Sequence, residues 1–295
     1  MKILGIGLVL ALLLLTVPQA MALKYGIDGN LSDWGITDDD IRRGLNDTAH
    51  DPVQVGDENA WVPDVSTVKW IIEDNVDPDI PGYGTYYGVH IMGNGSTYSA
   101  YNEPLATTRD GTKVAQPYGG EPYDVEALYI DEDAEYVYVA IIASVTTDAS
   151  IEVWSGDLAI NADSNLSTGE YGYEYGVKIP EGTVWRVTDW TSGELLNVPV
   201  SIADGTQTGN ATVAMRGLQI YERFGGNNTT NFILEVAIPR SALGYPPPVS
   251  IVNYSIHYTI TRLCGNDPTP SIPEFLLILI PAGLIIGAAH LRKLK

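Results

Sequence analysis

Apolar and polar residues alternate through most of this chain, and two longer apolar runs of a different kind frame it. The first run, Ile3 to Val17, follows Met1 and Lys2 and leads to Pro18 and Ala20-Met21-Ala22. A charged start, an apolar centre and a small-x-small end predict a secretory signal peptide over residues 1–22, cleaved before Leu23. The second run, Phe275 to Ala289, stops at Arg292, Lys293 and Lys295. It predicts a transmembrane segment over 275–295 whose basic tail stays on the cytoplasmic side, because lysine and arginine are costly to translocate. Residues 23–267 are then expected outside the cell, joined to the membrane by the Pro-rich stretch 268–274.

Between the runs the period is two, the signature of strands with one or both faces buried. Tyr123 to Ile130 and Glu135 to Ser144 flank the acidic turn Asp131-Glu132-Asp133 and predict a β-hairpin. The second of these, EYVYVAIIAS, is almost continuously apolar, as expected of a central strand covered on both faces. Asp157 to Ile160, Tyr171 to Ile179 and Val184 to Thr188 continue an antiparallel meander, and Asn210 to Tyr221, Asn231 to Ile238 and Ser250 to Thr261 add further strands. Ile238 to Gly244 reads as a short helical turn. Residues 37–120 are irregular and rich in Gly and Pro, with short strands at Thr67 to Ile72 and Thr85 to Met92. The expected fold class is all-β: one antiparallel, jelly-roll-like sandwich with long N-terminal loops.

Composition adds a compartment and excludes a partner. Four of the sixteen basic residues (Lys2, Arg292, Lys293, Lys295) lie in the terminal segments, against Glu274 alone among thirty-seven acids. The exterior part therefore carries 12 positive and 36 negative side chains, a field that repels nucleic acid and attracts divalent cations. Cys264 is the single cysteine, so no intrachain disulfide staples the fold. Sequons begin at Asn30, Asn46, Asn94, Asn165, Asn210, Asn227, Asn228 and Asn253, where the Ser and Thr content would give about two by chance. The excess predicts a glycosylated, secreted surface.

Two resemblances refine this picture. The terminal SIPEFLLILIPAGLIIGAAHLRKLK, with Pro273, Glu274 and Phe275 ahead of the apolar run, resembles the PEF-type sorting signal of archaeal surface proteins. That resemblance implies an archaeosortase-type transpeptidase that removes the helix and passes the protein to another anchor. The opening IDGNLSDW, Ile27 to Trp34, and the later IPRSALG resemble segments of family 9 carbohydrate-binding modules, which implies a β-sandwich. DVEALYID, GDLAI, YEYGV and HYTITRLCGND are similar to a set found in sortase-dependent surface proteins, and this set brings no known reaction with it.

Candidate chemistry is thin for an enzyme. His50, His90, His257 and His290 stand far apart, and no H-E-x-x-H, G-x-S-x-G or P-loop occurs. Asp124, Glu126, Asp157 and Glu174 are strand carboxylates on which a glycosidase could be built, but in so acidic a chain such coincidences are expected, and the chain is read as non-enzymatic. Calcium is the candidate cofactor: Asp157, Asn161, Asp163 and Asn165, with Glu170 and Glu174 nearby, alternate oxygen ligands without the EF-hand glycine and terminal glutamate. The competing reading is a plain Asx turn. Trp61, Trp154, Trp185 and Trp190 adjoin turns and are the candidate sugar platforms. Trp34 reads instead as a core plug. The expected role is adhesion, or binding of envelope glycans or surface-layer protein, at the outer face of the cell membrane; a carbohydrate-active hydrolase and a purely structural surface component are the alternatives.

Overall fold

The computed structural model describes residues 22–45, 61–75, 88–100, 106–107, 113–114, 125–145, 156–163, 165, 167–192, 199–220, 229–244 and 255–257. The signal peptide, the sorting motif at Pro273 to Phe275, the membrane segment and Cys264 lie outside these residues. Among the described residues, no helix is long and apolar enough to cross a membrane.

Two antiparallel sheets make up the body. The larger has seven strands in the order β12 (Thr212–Ile220), β13 (Thr229–Pro239), β7 (Tyr136–Val145), β6 (Ala127–Glu132), β1 (Lys69–Asn75), β2 (Gly88–Asn94) and β3 (Thr97–Ala100). The smaller has five: β11 (Pro199–Asn210), β10 (Thr183–Ser192), β9 (Tyr175–Lys178), β8 (Leu158–Asn161) and β14 (Ser255–His257). A two-stranded ribbon, β4 (Ala106–Thr107) with β5 (Lys113–Val114), stands apart. Four successive strands, β8 to β11, form a meander in one sheet, and among the described strands the chain changes between the two sheets after β7, β11 and β13, so the connectivity is meander and hairpin with three crossings rather than a regular jelly-roll alternation.

Alternation along the strands of the larger sheet sorts residues into two cores. Ile71, Leu128, Ile130, Val139, Ile141, Leu234 and Val236 face the smaller sheet, where Leu158, Ile160, Val177 and Val184 meet them. Trp70, Tyr129, Tyr138, Ala140, Ile142 and Ile233 face the other way. That second face is covered by the N-terminal strap, residues 22–45, together with Trp61, through Tyr25, Leu31, Trp34, Ile36 and Ile41. The molecule is thus three layers deep, and the unbroken apolar run of β7 follows from its central place with cover on both sides. Fully burying each large apolar side chain contributes about 1.5–3 kcal/mol.

Local signals explain the strap. A 3-10 turn spans Leu31–Trp34, capped by Asn30, whose side chain accepts from the Ser32 amide. Helix α1 (Asp38–Leu45) follows, although the triple aspartate there reads as irregular from the sequence. Thr37 and Asp40 form a reciprocal box: the Thr37 amide donates to Asp40 Oδ2 at 2.8 Å and the Asp40 amide donates to Thr37 Oγ1 at 3.2 Å. Three carboxylates in the first turn also suit the positive end of a helix. Gly29, at φ 79°, has no room for a side chain, since a Cβ would stand 2.6 Å from Arg216 Cβ.

The predicted short helical turn is a 3-10 turn at Arg240–Leu243. Strand β11 was not predicted; its small polar residues carry little strand propensity, and it forms by pairing, through several bulges, with β10.

Candidate functional site

Two clusters of carboxylates have the geometry to do something, and they differ in how well their oxygens are used. The first lies beneath the strap. Glu235 projects from β13 into the second core, is fully buried, and accepts from the Asp28 amide (3.1 Å), the Gly29 amide (2.6 Å) and Trp34 Nε1 (2.9 Å). Burial raises its pKa above the usual carboxylate range, and the Trp34 and backbone donors offset part of that. Asp131 Oδ2 accepts from Lys24 Nζ at 2.5 Å, from Thr67 Oγ1 at 2.8 Å and from the Tyr25 hydroxyl. The Tyr25 ring stacks on Trp34 with centroids 4.1 Å apart. Arg216 pairs through two nitrogens with Asp38, at 2.8 and 2.5 Å. Every acid here fastens the strap to the sheet.

The second cluster lies at one end of the smaller sheet, where the chain turns from β8 to β9. Glu174 directly precedes β9 and falls opposite Asn161 by the β8–β9 register, which pairs Ile160 with Tyr175. Glu174 Oε2 accepts from the Ala162 amide at 2.9 Å and Oε1 from Thr168 Oγ1 at 2.7 Å. The same hydroxyl lies 2.9 Å from both oxygens of Asp163 and 2.7 Å from the Asn165 carbonyl. Asp163 and Asn165 also accept from the amides two residues on, at 2.9 and 3.1 Å, as Asx turns do. Asn161 is 1% exposed and its Oδ1 has no hydrogen-bond partner among the described residues.

Asp157, predicted as a calcium ligand, is turned elsewhere. Its two oxygens accept from the amides of Ile179 (3.0 Å) and Ile202 (2.8 Å), tying β9 and β11 to the start of β8. Burial raises its pKa while these amides lower it. Glu170 is committed too, accepting from the Trp190 amide at 2.5 Å. Among the described residues, no group of three or more His, Cys, Asp or Glu side chains is gathered as metal ligands.

The tryptophans predicted as platforms divide. Trp61 is fully buried in the second core, its Nε1 donating to the Asp40 carbonyl at 3.1 Å, and Trp190 is 4% exposed with its edge over Gly176. Neither offers a stacking face, because each ring closes a gap in apolar packing. Trp185 is half-buried on the outer side of the smaller sheet, with Lys178 Nζ 4.6 Å from its ring centroid and its Nε1 on Thr183 Oγ1 at 2.9 Å. Trp154 lies outside the described residues, as does Asp124. Trp34 is a core plug, as its sequence context predicts.

Of the sequons, Asn30, Asn165 and Asn210 are exposed and Asn94 is half-buried at the β2–β3 turn. Asn46, Asn227, Asn228 and Asn253 lie outside the described residues.

Sequence reasoning did not single out Glu235, Asp131 or Thr168. For Glu235 a signal existed: it is the one charge in the apolar stretch FILEVAI, at a position the alternation sends inward. Thr168 carried none. No known protein family matches the chain, and no curated protein is significantly similar to it.

Proposed function

We propose that this chain is a non-enzymatic β-sandwich displayed on the outer face of an archaeal cell membrane. It is secreted through residues 1–22, tethered through its C-terminal segment by an archaeosortase-type transpeptidase, and glycosylated. It acts in adhesion or in contacts with envelope glycans or surface-layer protein. One observation carries the non-enzymatic part of the reading: the strand carboxylates are committed to the backbone. Asp157 uses both oxygens on strand amides, and Glu235 holds the strap through the Asp28 and Gly29 amides. A glycosidase needs two carboxyl groups facing one sugar across roughly 5–10 Å of open cleft, and these two are spent on the fold. The location rests on the sequence alone, through the leader, the Pro273-Glu274-Phe275 motif and the basic tail. Of the three described platform candidates, Trp185 supports glycan contact best, since it alone keeps ring area at the surface.

Mass spectrometry of the protein taken from cell surfaces tests the tether and the glycans together. The mature chain should begin at Leu23, lack Arg292 to Lys295, and carry added mass on sequon peptides. Recovery of the intact basic tail would sink the sorting reading and leave an ordinary membrane helix.

A further inference from the structure

We propose that the β8–β9 turn is a calcium site built from Asn161, Asp163, Asn165, Thr168 and Glu174. The Thr168 hydroxyl carries one hydrogen, yet four acceptor oxygens stand within 2.9 Å of its Oγ1: both of Asp163, the Asn165 carbonyl and Glu174 Oε1. One can receive the proton. The other three are oxygens held against an oxygen, and three of the four belong to carboxylates. Oxygens that share a cation sit at such separations, because each stands about 2.3–2.6 Å from the metal.

A second, independent observation lies beside them. Asn161 is 1% exposed and its Oδ1 has no partner among the described residues, so it has given up its hydration without a replacement bond. The β8–β9 register puts its side chain directly opposite that of Glu174 on the outer face of the sheet, since Leu158 and Ile160 occupy the inner one. A buried amide oxygen next to an oversubscribed carboxylate is a ligand waiting for a cation. The donor set is all oxygen, with two carboxylates, one hydroxyl, one backbone carbonyl and one amide. Such a set suits calcium, which takes six to eight oxygens in irregular geometry, water filling the rest. Relative to the sequence expectation, Asp157 drops out, Glu174 stays, Thr168 enters, and Asn165 contributes its carbonyl, leaving its side chain free of the site.

The inference does not depend on the proposed function. Its test is isothermal titration of the full-length protein with calcium chloride at about 0.15 M salt, where exposed charges are screened beyond about 8 Å, with thermal melts in calcium and in EDTA. One saturable event per chain and a higher melting temperature in calcium are expected. Glu174→Gln and Asn161→Ala should each weaken binding at least about tenfold, the scale of losing even an outer partner of a metal site. Asn161→Ala should melt in EDTA no lower than the parent, which separates a lost ligand from a damaged fold. Asp189→Asn, an exposed acid on β10, should bind as the parent does. No saturable event, unchanged affinity in Asn161→Ala, or an Asp189→Asn loss as large as that of Glu174→Gln would each overturn the proposal.

Discussion

The strap over the larger sheet and the β8–β9 turn on the smaller one use the same side chains to opposite ends. Beneath the strap, Glu235 faces three donors and Asp131 faces four, so each acceptor is matched by hydrogens. In the turn, four acceptors compete for one hydroxyl proton and a buried amide oxygen has no partner. A carboxylate surrounded by donors is a fastening. One surrounded by other oxygens contributes little to the fold by itself and has affinity to spare for a cation. In a chain this acidic, the count of donors around an acid separates structural carboxylates from available ones better than the acid's own position does.

The comparison can be broken most sharply at the strap. Trp34→Ala removes the plug that stacks on Tyr25 and donates to Glu235, and should cost about 4 kcal/mol. Urea unfolding measures it, and a loss below about 1 kcal/mol would mean that the strap is a passenger.

Next in size is Glu235→Gln, expected to cost about 2 kcal/mol because the new amide can keep its oxygen on the Asp28 and Gly29 amides only by setting its NH2 against Trp34 Nε1, donor against donor. The same variant reads out pH. Burial holds the Glu235 carboxyl above its value of 4.5, and Asp157 is shifted the same way. A raised folded pKa means that the folded protein binds protons more readily than the unfolded chain. The contribution is full below the unfolded value and is lost as pH rises through the folded one. The melting temperature in EDTA should therefore rise as pH falls from 7 to about 5, and this slope should be shallower in Glu235→Gln. An identical slope in the variant would show that Glu235 is not among the groups responsible.

The smallest effect belongs to the turn. Asp163→Asn without calcium should change stability by less than about 0.5 kcal/mol, since it removes one of two crowded like charges and keeps an oxygen for the Asn165 amide. A loss above about 1 kcal/mol in EDTA would place this turn among the fastenings and erase the contrast.

Much of the larger sheet was legible because alternation is a local property. The hairpin from Ala127 to Val145 and the double cover of β7 follow from YDVEALYI and EYVYVAIIAS alone. Trp34 as a plug was legible beside its turn dipeptide. The helix at Asp38–Leu45 was hidden by three aspartates, which read as loop unless Thr37 is recognised as the other half of a capping box. Strand β11 was hidden because its residues are strand-like only once β10 lies alongside. The cluster at the β8–β9 turn was half legible: the spacing of Asn161, Asp163 and Asn165 pointed to the turn, but which acids face it depends on which amides claim the others. Asp157 looks equivalent in sequence and differs only because Ile179 and Ile202 reach it, across 22 and 45 residues.

The strap also sets a schedule. Its docking partner in β13 lies 206 residues further along the chain, at the Gly29–Glu235 contact. At about 5–20 residues per second of synthesis, residues 22–45 wait on the order of 10–40 s before Glu235 exists. The strap therefore cannot complete its hydrogen bonds to the sheet until β13 has been made. If the chain is exported as proposed, that interval is also when residues 22–25 are still accessible to a leader peptidase, because afterwards the Lys24 amide is bound to the Tyr138 hydroxyl and its ammonium to Asp131.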